Sequence, residues 1–255
     1  MKTPSLFIAG VSAMLLSAGL ALGQTAANQV EPYVVHSTDG KYEFSIDTSR
    51  APDLTDWATN KLASVLAEWY PKIVEMLPSD GFAAPARFTV MLKPGNGVAF
   101  TSGTRIVANS NWLKRELNGE AVGALVHEAV HVVQQYGHTR RDQTNAVPAP
   151  GWLVEGMADY IRWFKYEPQS HGADVGWLRP QKHLSLRYDA GYRVTANFLD
   201  WVAGEHGQDI IRQLNAAMRE GRYADDIWKQ STGKTVQELG AEWKSSREKI
   251  ISKSP

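Results

Sequence analysis

The stretch LVHEAVHVVQ at residues 125–134 carries the strongest pattern in the chain. Apolar residues surround its polar ones, and helical signals extend over about residues 119–136, so we predict a helix there. His127 and His131 are four residues apart, and this spacing places side chains one turn apart on the same face of a helix. Both imidazoles therefore point the same way and can take neighbouring corners of a tetrahedral zinc site.

The carboxylate between the two histidines has a different position on that helix. Glu128 follows the first histidine directly, so we expect it to flank a metal instead of binding it and to take a proton from metal-bound water. An ordinary helix with a fortuitous histidine pair is the alternative. Burying two imidazoles and a carboxylate among apolar residues is costly without a partner charge, which a dication would supply. The pattern therefore predicts His127 and His131 as zinc ligands and Glu128 as the general base.

A catalytic zinc site needs a third protein ligand and an open fourth position. His138 would suit a longer motif in which a third histidine follows a glycine turn. That motif requires glycine at position 134 and histidine at position 137, where this chain has Gln134 and Gly137. The register does not fit, so two downstream carboxylates, Glu155 and Asp159, are the better candidates.

These carboxylates lie on a second predicted helix, over about residues 152–166. Glu155 and Asp159 are one turn apart on an otherwise apolar face, and unpaired buried carboxylates are expensive there. We expect Glu155 to be the third zinc ligand and Asp159 to accept an imidazole N–H, which would fix the tautomer of a histidine ligand. The alternative assigns the third ligand to Asp159.

The pattern outside these two helices indicates an α+β class, because strand signals come early and helix signals come late. Strands are predicted near residues 42–46 and 87–92, and a loop with an edge strand near residues 105–108. The segment 97–108 could pair with an extended peptide through main-chain hydrogen bonds, or it could be an ordinary edge hairpin. Further helices are predicted over residues 53–77 and near residues 191–205, 208–219 and 235–251.

The first 23 residues resemble an export signal. Lys2 supplies a positive start, residues 6–22 are apolar, and small residues lie at positions 21–23. A retained membrane anchor is the alternative. We expect cleavage after this segment, a secreted or periplasmic protein with no stable membrane association, and one domain over residues 24–255. Its upper part would span about residues 33–137 and its helical lower part about residues 138–255.

Composition excludes several classes of protein. Lys and Arg total 27 and Asp and Glu total 27, which argues against a nucleic-acid partner bound through bulk charge. The chain contains no cysteine, so disulfides, cysteine nucleophiles and iron–sulfur clusters are excluded. Any metal must be held by nitrogen and oxygen ligands.

The chain contains several separated motifs, and the histidine pair lies in one of them. They are LVHEAVHVVQ, GWLVEGMADY (151–160), GYRVTANFLD (191–200), GVAFTSG (97–103) and GKTV (233–236). With these motifs the chain resembles the plant basic secretory protein family, whose bacterial relatives are called peptidases of plants and bacteria, over about residues 33–245. The resemblance implies a secreted zinc metallopeptidase with a zincin-like architecture: a small N-terminal sheet and an active-site helix above a mainly helical lower part. This chain departs from the family name because it is not basic.

Peptide hydrolysis also requires a group that stabilises the tetrahedral oxyanion. Tyr192 is our candidate, on its location before a late helix, while Tyr188, His183 and Tyr136 are alternatives. The sequence thus predicts a zinc-dependent peptidase acting on peptide or protein substrates. A zinc-holding recognition protein with little proteolytic activity, and a metal-assisted hydrolase of a small amide or cell-wall peptide, remain open alternatives.

Overall fold

A computed structural model describes residues 31–136, 145–179 and 186–253. The predicted signal peptide at residues 1–23 lies outside the described residues, as do His138 and His183. Within the described part, no helix has the length and apolar character needed to cross a membrane.

The described N-terminal half forms a mixed five-stranded sheet in the order β1-β2-β3-β5-β4. The three inner strands run parallel, and each outer strand is antiparallel to its neighbour. Side chains on alternate positions of two inner strands, Glu43–Asp47 and Arg87–Lys93, are buried, as the period-two pattern of residues 42–46 predicts. The strands are β1 (Tyr33–His36), β2 (Glu43–Asp47), β3 (Arg87–Lys93), β4 (Ala99–Ser102) and β5 (Arg105–Asn109).

The edge strand near residues 105–108 is predicted in the wrong place. β5 covers those residues but lies between β3 and β4, and the outer strand on that side is β4. A tight turn joins the two strands, and Gly103 adopts a φ of 59° there, a left-handed conformation that glycine reaches at little cost. The turn folds β4 back along β5, so the shorter strand takes the edge.

Helices pack against the sheet, and one of them, α4 (Ala121–Gln134), lies in the interior of the protein. Apart from His131, which is half-buried, every residue of α4 is buried, and α4 lies against α2, β4 and β5. This all-round burial explains why its apolar residues surround the histidine pair on more than one face. The helices of this half are α1 (Thr55–Trp57), which continues through a π-helical turn (Ala58–Leu62) into α2 (Ala63–Met76), α3 (Ser110–Arg115) and α4 (Ala121–Gln134).

A buried arginine fixes the C-terminal end of α4. Arg219 donates hydrogen bonds to the backbone carbonyls of Val133 (3.0 Å) and Gln134 (3.1 Å) in the last turn, and to that of Leu77 (2.9 Å) just after α2. Burial lowers the pKa of Arg219 to about 10, but this value is still well above neutral pH, so the guanidinium group stays charged. A cation at the C-terminal end of a helix also interacts favourably with the helix dipole. This contact anchors the histidine-bearing helix to α2.

The second half of the described chain is helical. α5 and α7 make the closest helix pair, because Gly156 in α5 lets Thr195 of α7 approach directly. The structure adds α9 where the sequence indicated no helix, since its seven residues are too few for a clear period. The helices are α5 (Gly151–Ile161), α6 (Val175–Leu178), α7 (Tyr192–His206), α8 (Asp209–Arg219), α9 (Asp226–Thr232) and α10 (Val236–Lys253).

The close approach of α5 and α7 predicts opposite effects for two glycine substitutions. A Cβ atom at Gly156 would lie 2.1 Å from Thr195 Cγ2, whereas a Cβ at Gly204, also within a helix, meets nothing within 4 Å. We expect Gly156→Ala to lower the free energy of unfolding by about 1–3 kcal/mol through overpacking. Gly204→Ala should raise it by about 0.5–1 kcal/mol through helix propensity. Urea unfolding of both variants measures the difference, and equal effects would contradict the packing described.

Candidate active site

Three side chains from α4 and α5 meet at one point. His127 Nε2 and His131 Nε2 are 3.1 Å apart, and Glu155 Oε2 lies 3.2 Å from the first nitrogen and 3.4 Å from the second. The helical spacing of the histidines sets the first distance, and the packing of α5 beside α4 sets the other two. These three atoms form a set that could hold a metal ion.

Hydrogen bonds on the far side of each imidazole ring determine which nitrogen points at this meeting point. His127 Nδ1 lies 2.7 Å from Asp159 Oδ1, and His131 Nδ1 lies 2.7 Å from Gln134 Oε1. Gln134 is itself oriented, because its Nε2 donates to the carbonyl of Val154 at 3.0 Å. A carboxylate or amide oxygen only accepts, so each Nδ1 carries the hydrogen. In the neutral rings both Nε2 atoms are therefore left with lone pairs directed at the same point.

The spacing of the three atoms fits zinc. Zinc–nitrogen bonds are about 2.0–2.1 Å long, and the edge of a tetrahedron built on such bonds measures about 3.3 Å. The observed distances of 3.1–3.4 Å match one face of that tetrahedron. Two imidazole nitrogens and one carboxylate oxygen are also the donor types that suit a catalytic zinc site. Glu155, and not Asp159, is the carboxylate on the Nε2 side of His127.

The electrostatics of the site favour a positive charge at the meeting point. Burial lowers the pKa of His127, but hydrogen bonds with Asp159 and Glu155 outweigh burial and raise that pKa to about 9. For Glu155, burial raises the pKa, yet contacts with His127 and His131 outweigh it and hold the pKa well below its usual range. The carboxylates of Asp159, Glu155 and Glu128 thus stabilise positive charge on and beside the His127 ring.

Glu128 lies beside this point and is tied to the sheet. Its side chain is buried, lines the same cavity, and adds to the negative charge that raises the pKa of His127. Its Oε2 lies 2.6 Å from Thr101 Oγ1 on β4, and the same hydroxyl lies 3.0 Å from the backbone carbonyl of Glu128. The carboxylate is therefore held in one orientation at the wall of the cavity.

The meeting point opens into a cavity of about 1100 Å³ between β4 and helices α4, α5 and α7. Tyr192 lies at its rim with 58% of its surface exposed, and its ring lies nearly parallel to that of His127, with centroids 6.3 Å apart. The Glu155 carboxylate, followed by burial, raises the pKa of Tyr192. Tyr192 begins α7 at a φ of 45°, a conformation that is strained for a residue with a side chain.

The other tyrosines named from sequence lie in different surroundings. Tyr136 lines the cavity, but its hydroxyl donates to Asn215 Oδ1 at 3.0 Å in the core. Tyr188 packs its ring against Trp152 and Phe198. The Tyr136 hydroxyl is engaged in the core and Tyr188 is not among the described residues that line the cavity, so Tyr192 stays our candidate.

An ion-pair cluster at the far end of the cavity holds the start of α7. Arg193 donates to Glu120 Oε2 at 2.5 Å, and Arg162 donates to the same oxygen at 3.0 Å. The indole ring of Trp163 lies against both guanidinium groups: its centroid is 3.9 Å from Arg162 Cζ and 4.2 Å from Arg193 Cζ. Because Arg193 follows Tyr192 directly, this cluster fixes the position of that tyrosine relative to α4.

The sequence pattern missed two groups that the structure places in contact with the site residues. Gln134 is three residues after His131, and that helical spacing was a usable signal for a hydrogen-bond partner. Thr101 is separated from Glu128 by 27 residues, and nothing local in the sequence connects the two. The roles of His127, Glu128, His131, Glu155, Asp159 and Tyr192 stay predictions.

Comparison with solved structures places the fold among zinc metallopeptidases. An M1 zinc metallopeptidase mutant from Deinococcus radiodurans matches with a TM-score of 0.52 and 13% identity, covering 85% of this chain and 52% of that one. A two-domain M1 zinc metallopeptidase mutant bound to L-tryptophan matches with a TM-score of 0.50 and 12% identity, covering 84% and 51%. This chain spans about half the length of those proteins. The α+β, zincin-like fold predicted from sequence is confirmed.

Sequence comparisons identify the family. A search of curated proteins found no match. A family model described as peptidase of plants and bacteria matches residues 38–243, a span that contains α4, α5 and the start of α7. The resemblance read from the separated motifs is thereby confirmed, and the chain belongs to the family of peptidases of plants and bacteria.

Proposed function

We propose that this protein is a zinc-dependent peptidase that hydrolyses peptide bonds in peptide or protein substrates. The observation that carries the proposal is the convergence of His127 Nε2, His131 Nε2 and Glu155 Oε2 at the spacing of a tetrahedral face. Membership of a peptidase family supports the reaction class, and the cavity in front of the three atoms supports access for a substrate.

His127, His131 and Glu155 would hold the zinc ion. Asp159 and Gln134 would keep both imidazoles in the tautomer that presents Nε2 to the metal, and partners of this kind also raise ligand basicity. A bound zinc ion supplies Lewis acidity, which lowers the pKa of a water molecule and polarises the scissile carbonyl.

Glu128 would carry the proton. Its carboxylate takes a proton from the attacking water and later delivers it to the nitrogen of the leaving amine, so it is ionised again at the end of the cycle. A general base must lie within hydrogen-bond reach of the proton it abstracts. Glu128 lines the same cavity as the three ligand atoms and follows His127 directly, which suits this role.

The outer edge of β4 would seat the main chain of the substrate. Asn109 N donates to Val98 O at 2.9 Å, so position 98 faces β5. In an antiparallel pair the next residues alternate, and the N–H and C=O groups of Ala99 and Thr101 therefore point to the outer edge. An extended peptide can add there as a further strand, and the exposed Phe100 beside it lines the cavity.

Tyr192 would stabilise the oxyanion that develops on the scissile carbonyl. Its hydroxyl is a neutral donor at physiological pH, and the Glu155 carboxylate raises its pKa further. The ion pair between Arg193 and Glu120 would limit its movement. Donors held in place at such a position stabilise the developing charge without reorganisation.

Export belongs to the same proposal. The positive start, apolar run and small residues of positions 1–23 support a cleaved signal peptide. A protein without cysteines is compatible with a secreted or periplasmic location, since its described core is large and needs no disulfide.

Metal retention tests the assignment of the ligands. After dialysis against zinc-free buffer, the wild-type protein should retain one zinc ion per chain by elemental analysis, and Glu155→Ala and His127→Ala should retain almost none. Asp159→Ala should bind zinc roughly 10- to 100-fold more weakly than the wild type but more tightly than Glu155→Ala, because it removes a support and not a ligand. The reverse order would assign the third ligand to Asp159.

Cleavage of casein tests the function itself. We expect the mature protein to cleave casein, to lose that activity with a chelator and to regain it with zinc. Glu128→Gln should keep stoichiometric zinc and lose at least about 10²-fold in kcat, since general-base catalysis typically contributes 10²–10⁴-fold. A wild-type protein that holds zinc and cleaves neither casein nor a peptide library would instead be a zinc-holding recognition protein.

The role of Tyr192 predicts a difference between two tyrosine variants. Tyr192→Phe should lower kcat by about 10²-fold with little change in KM, since removal of one oxyanion donor costs about that much. Tyr188→Phe is the matched control, because its half-buried ring packs against Trp152 and Phe198 and does not line the cavity, and its kcat should stay within about twofold of the wild type. Equal activity of Tyr192→Phe and the wild-type protein would remove Tyr192 from the mechanism.

A further inference from the structure

The Thr101 side chain joins the substrate-facing strand β4 to the proposed general base by a hydrogen bond. Its Oγ1 lies 2.6 Å from Glu128 Oε2 and 3.0 Å from the backbone carbonyl oxygen of the same residue. We propose that Thr101 is a positioning residue that holds the Glu128 carboxylate in one orientation. This inference rests on the proposed peptidase function.

The hydroxyl group of Thr101 has one hydrogen and two acceptors within reach. When Glu128 is ionised, the hydroxyl donates to Oε2, and a bond of 2.6 Å suits an O–H donor facing a carboxylate. The backbone carbonyl oxygen of Glu128, 3.0 Å away, is the second acceptor, so either hydrogen bond joins Thr101 to the residue that carries the carboxylate.

The hydrogen bond to Oε2 restrains the orientation of the Glu128 carboxylate. A glutamate side chain otherwise has three rotatable bonds, and fixing such a side chain costs rotamer entropy. Threonine suits the task because its branched Cβ restricts its own χ1 angle, and a strand position restricts its backbone as well. The carboxyl is then aimed before the substrate arrives.

Thr101 also relates the base to the substrate. Its backbone N–H and C=O face the outer edge of β4, where the peptide main chain would bind, while its side chain contacts Glu128. One residue thus contacts both reaction partners. A peptide seated on β4 has a fixed distance to the carboxylate, and such alignment contributes to the rate and not to ground-state binding.

A purely structural tie between β4 and α4 is the competing explanation. The two explanations predict different effects when the Thr101 hydroxyl is removed. A purely structural hydrogen bond would affect folding and metal content, whereas positioning of the base would affect kcat. The matched control is Ser102, which neighbours Thr101 on the same strand, is exposed, and does not line the cavity. Its hydroxyl faces the opposite side of the strand, since successive side chains alternate.

Steady-state kinetics on a peptide substrate tests the proposal with four variants of the full-length mature protein. Thr101→Val keeps the branched shape and should lower kcat roughly 10- to 100-fold, the usual cost of a lost supporting partner, with KM within about threefold and stoichiometric zinc retained. Thr101→Ser keeps the hydroxyl and should restore kcat to within about threefold of the wild type. Ser102→Val should behave as the wild type, and Glu128→Gln sets the lower limit.

Each other outcome overturns the inference. If Thr101→Val holds zinc and keeps the wild-type kcat, the hydroxyl does not position the base. If Thr101→Val loses its zinc or unfolds, Thr101→Ala is measured in the same assay, and loss of zinc there as well would assign the hydroxyl to the fold. An inactive wild-type protein, or an active Glu128→Gln, would instead contradict the proposed function.

Discussion

Two imidazole lone pairs and one carboxylate directed at a single point constrain the whole architecture. In neutral rings without a cation, His127 Nε2 and His131 Nε2 would face each other at 3.1 Å with unshared electrons. Asp159 and Gln134 keep the hydrogens on the opposite nitrogens, so the protein enforces this arrangement instead of avoiding it. Such a convergence is costly unless a proton or a metal ion occupies the point, and the tetrahedral spacing of the three atoms is the reason that we interpret it as a zinc site.

The fold supplies the rigidity that the convergence needs. α4 is buried almost throughout, and Arg219 binds its last carbonyls to the end of α2. α5 is held by its close approach to α7 at Gly156. Ligands on two well-packed helices can hold a metal geometry more precisely than ligands on loops. The groups that face the substrate, Thr101 and Tyr192, lie instead on an edge strand and at a helix start, where a peptide can reach them.

How much of this could be predicted from sequence depends on whether a residue belongs to a recognisable helical or strand pattern. The i,i+4 histidine pair and the carboxylate pair on the next helix are local patterns, so both helices and the convergence of His127, His131 and Glu155 could be anticipated. The α+β class followed from the order of strand and helix signals. Thr101 could not be found in this way, because its contact with Glu128 depends on how β4 folds back over α4. The order of β4 and β5 in the sheet likewise depends on pairing that one sequence does not reveal.

The coordination of the bound metal is the property on which the account depends most directly. X-ray absorption at the zinc edge, on protein loaded with one equivalent of zinc, reports the number, type and distance of the ligands. We expect four nitrogen or oxygen neighbours at about 2.0–2.1 Å, with the multiple scattering of two imidazole rings. Six oxygen neighbours without imidazole scattering would contradict the convergence of His127, His131 and Glu155 on the metal.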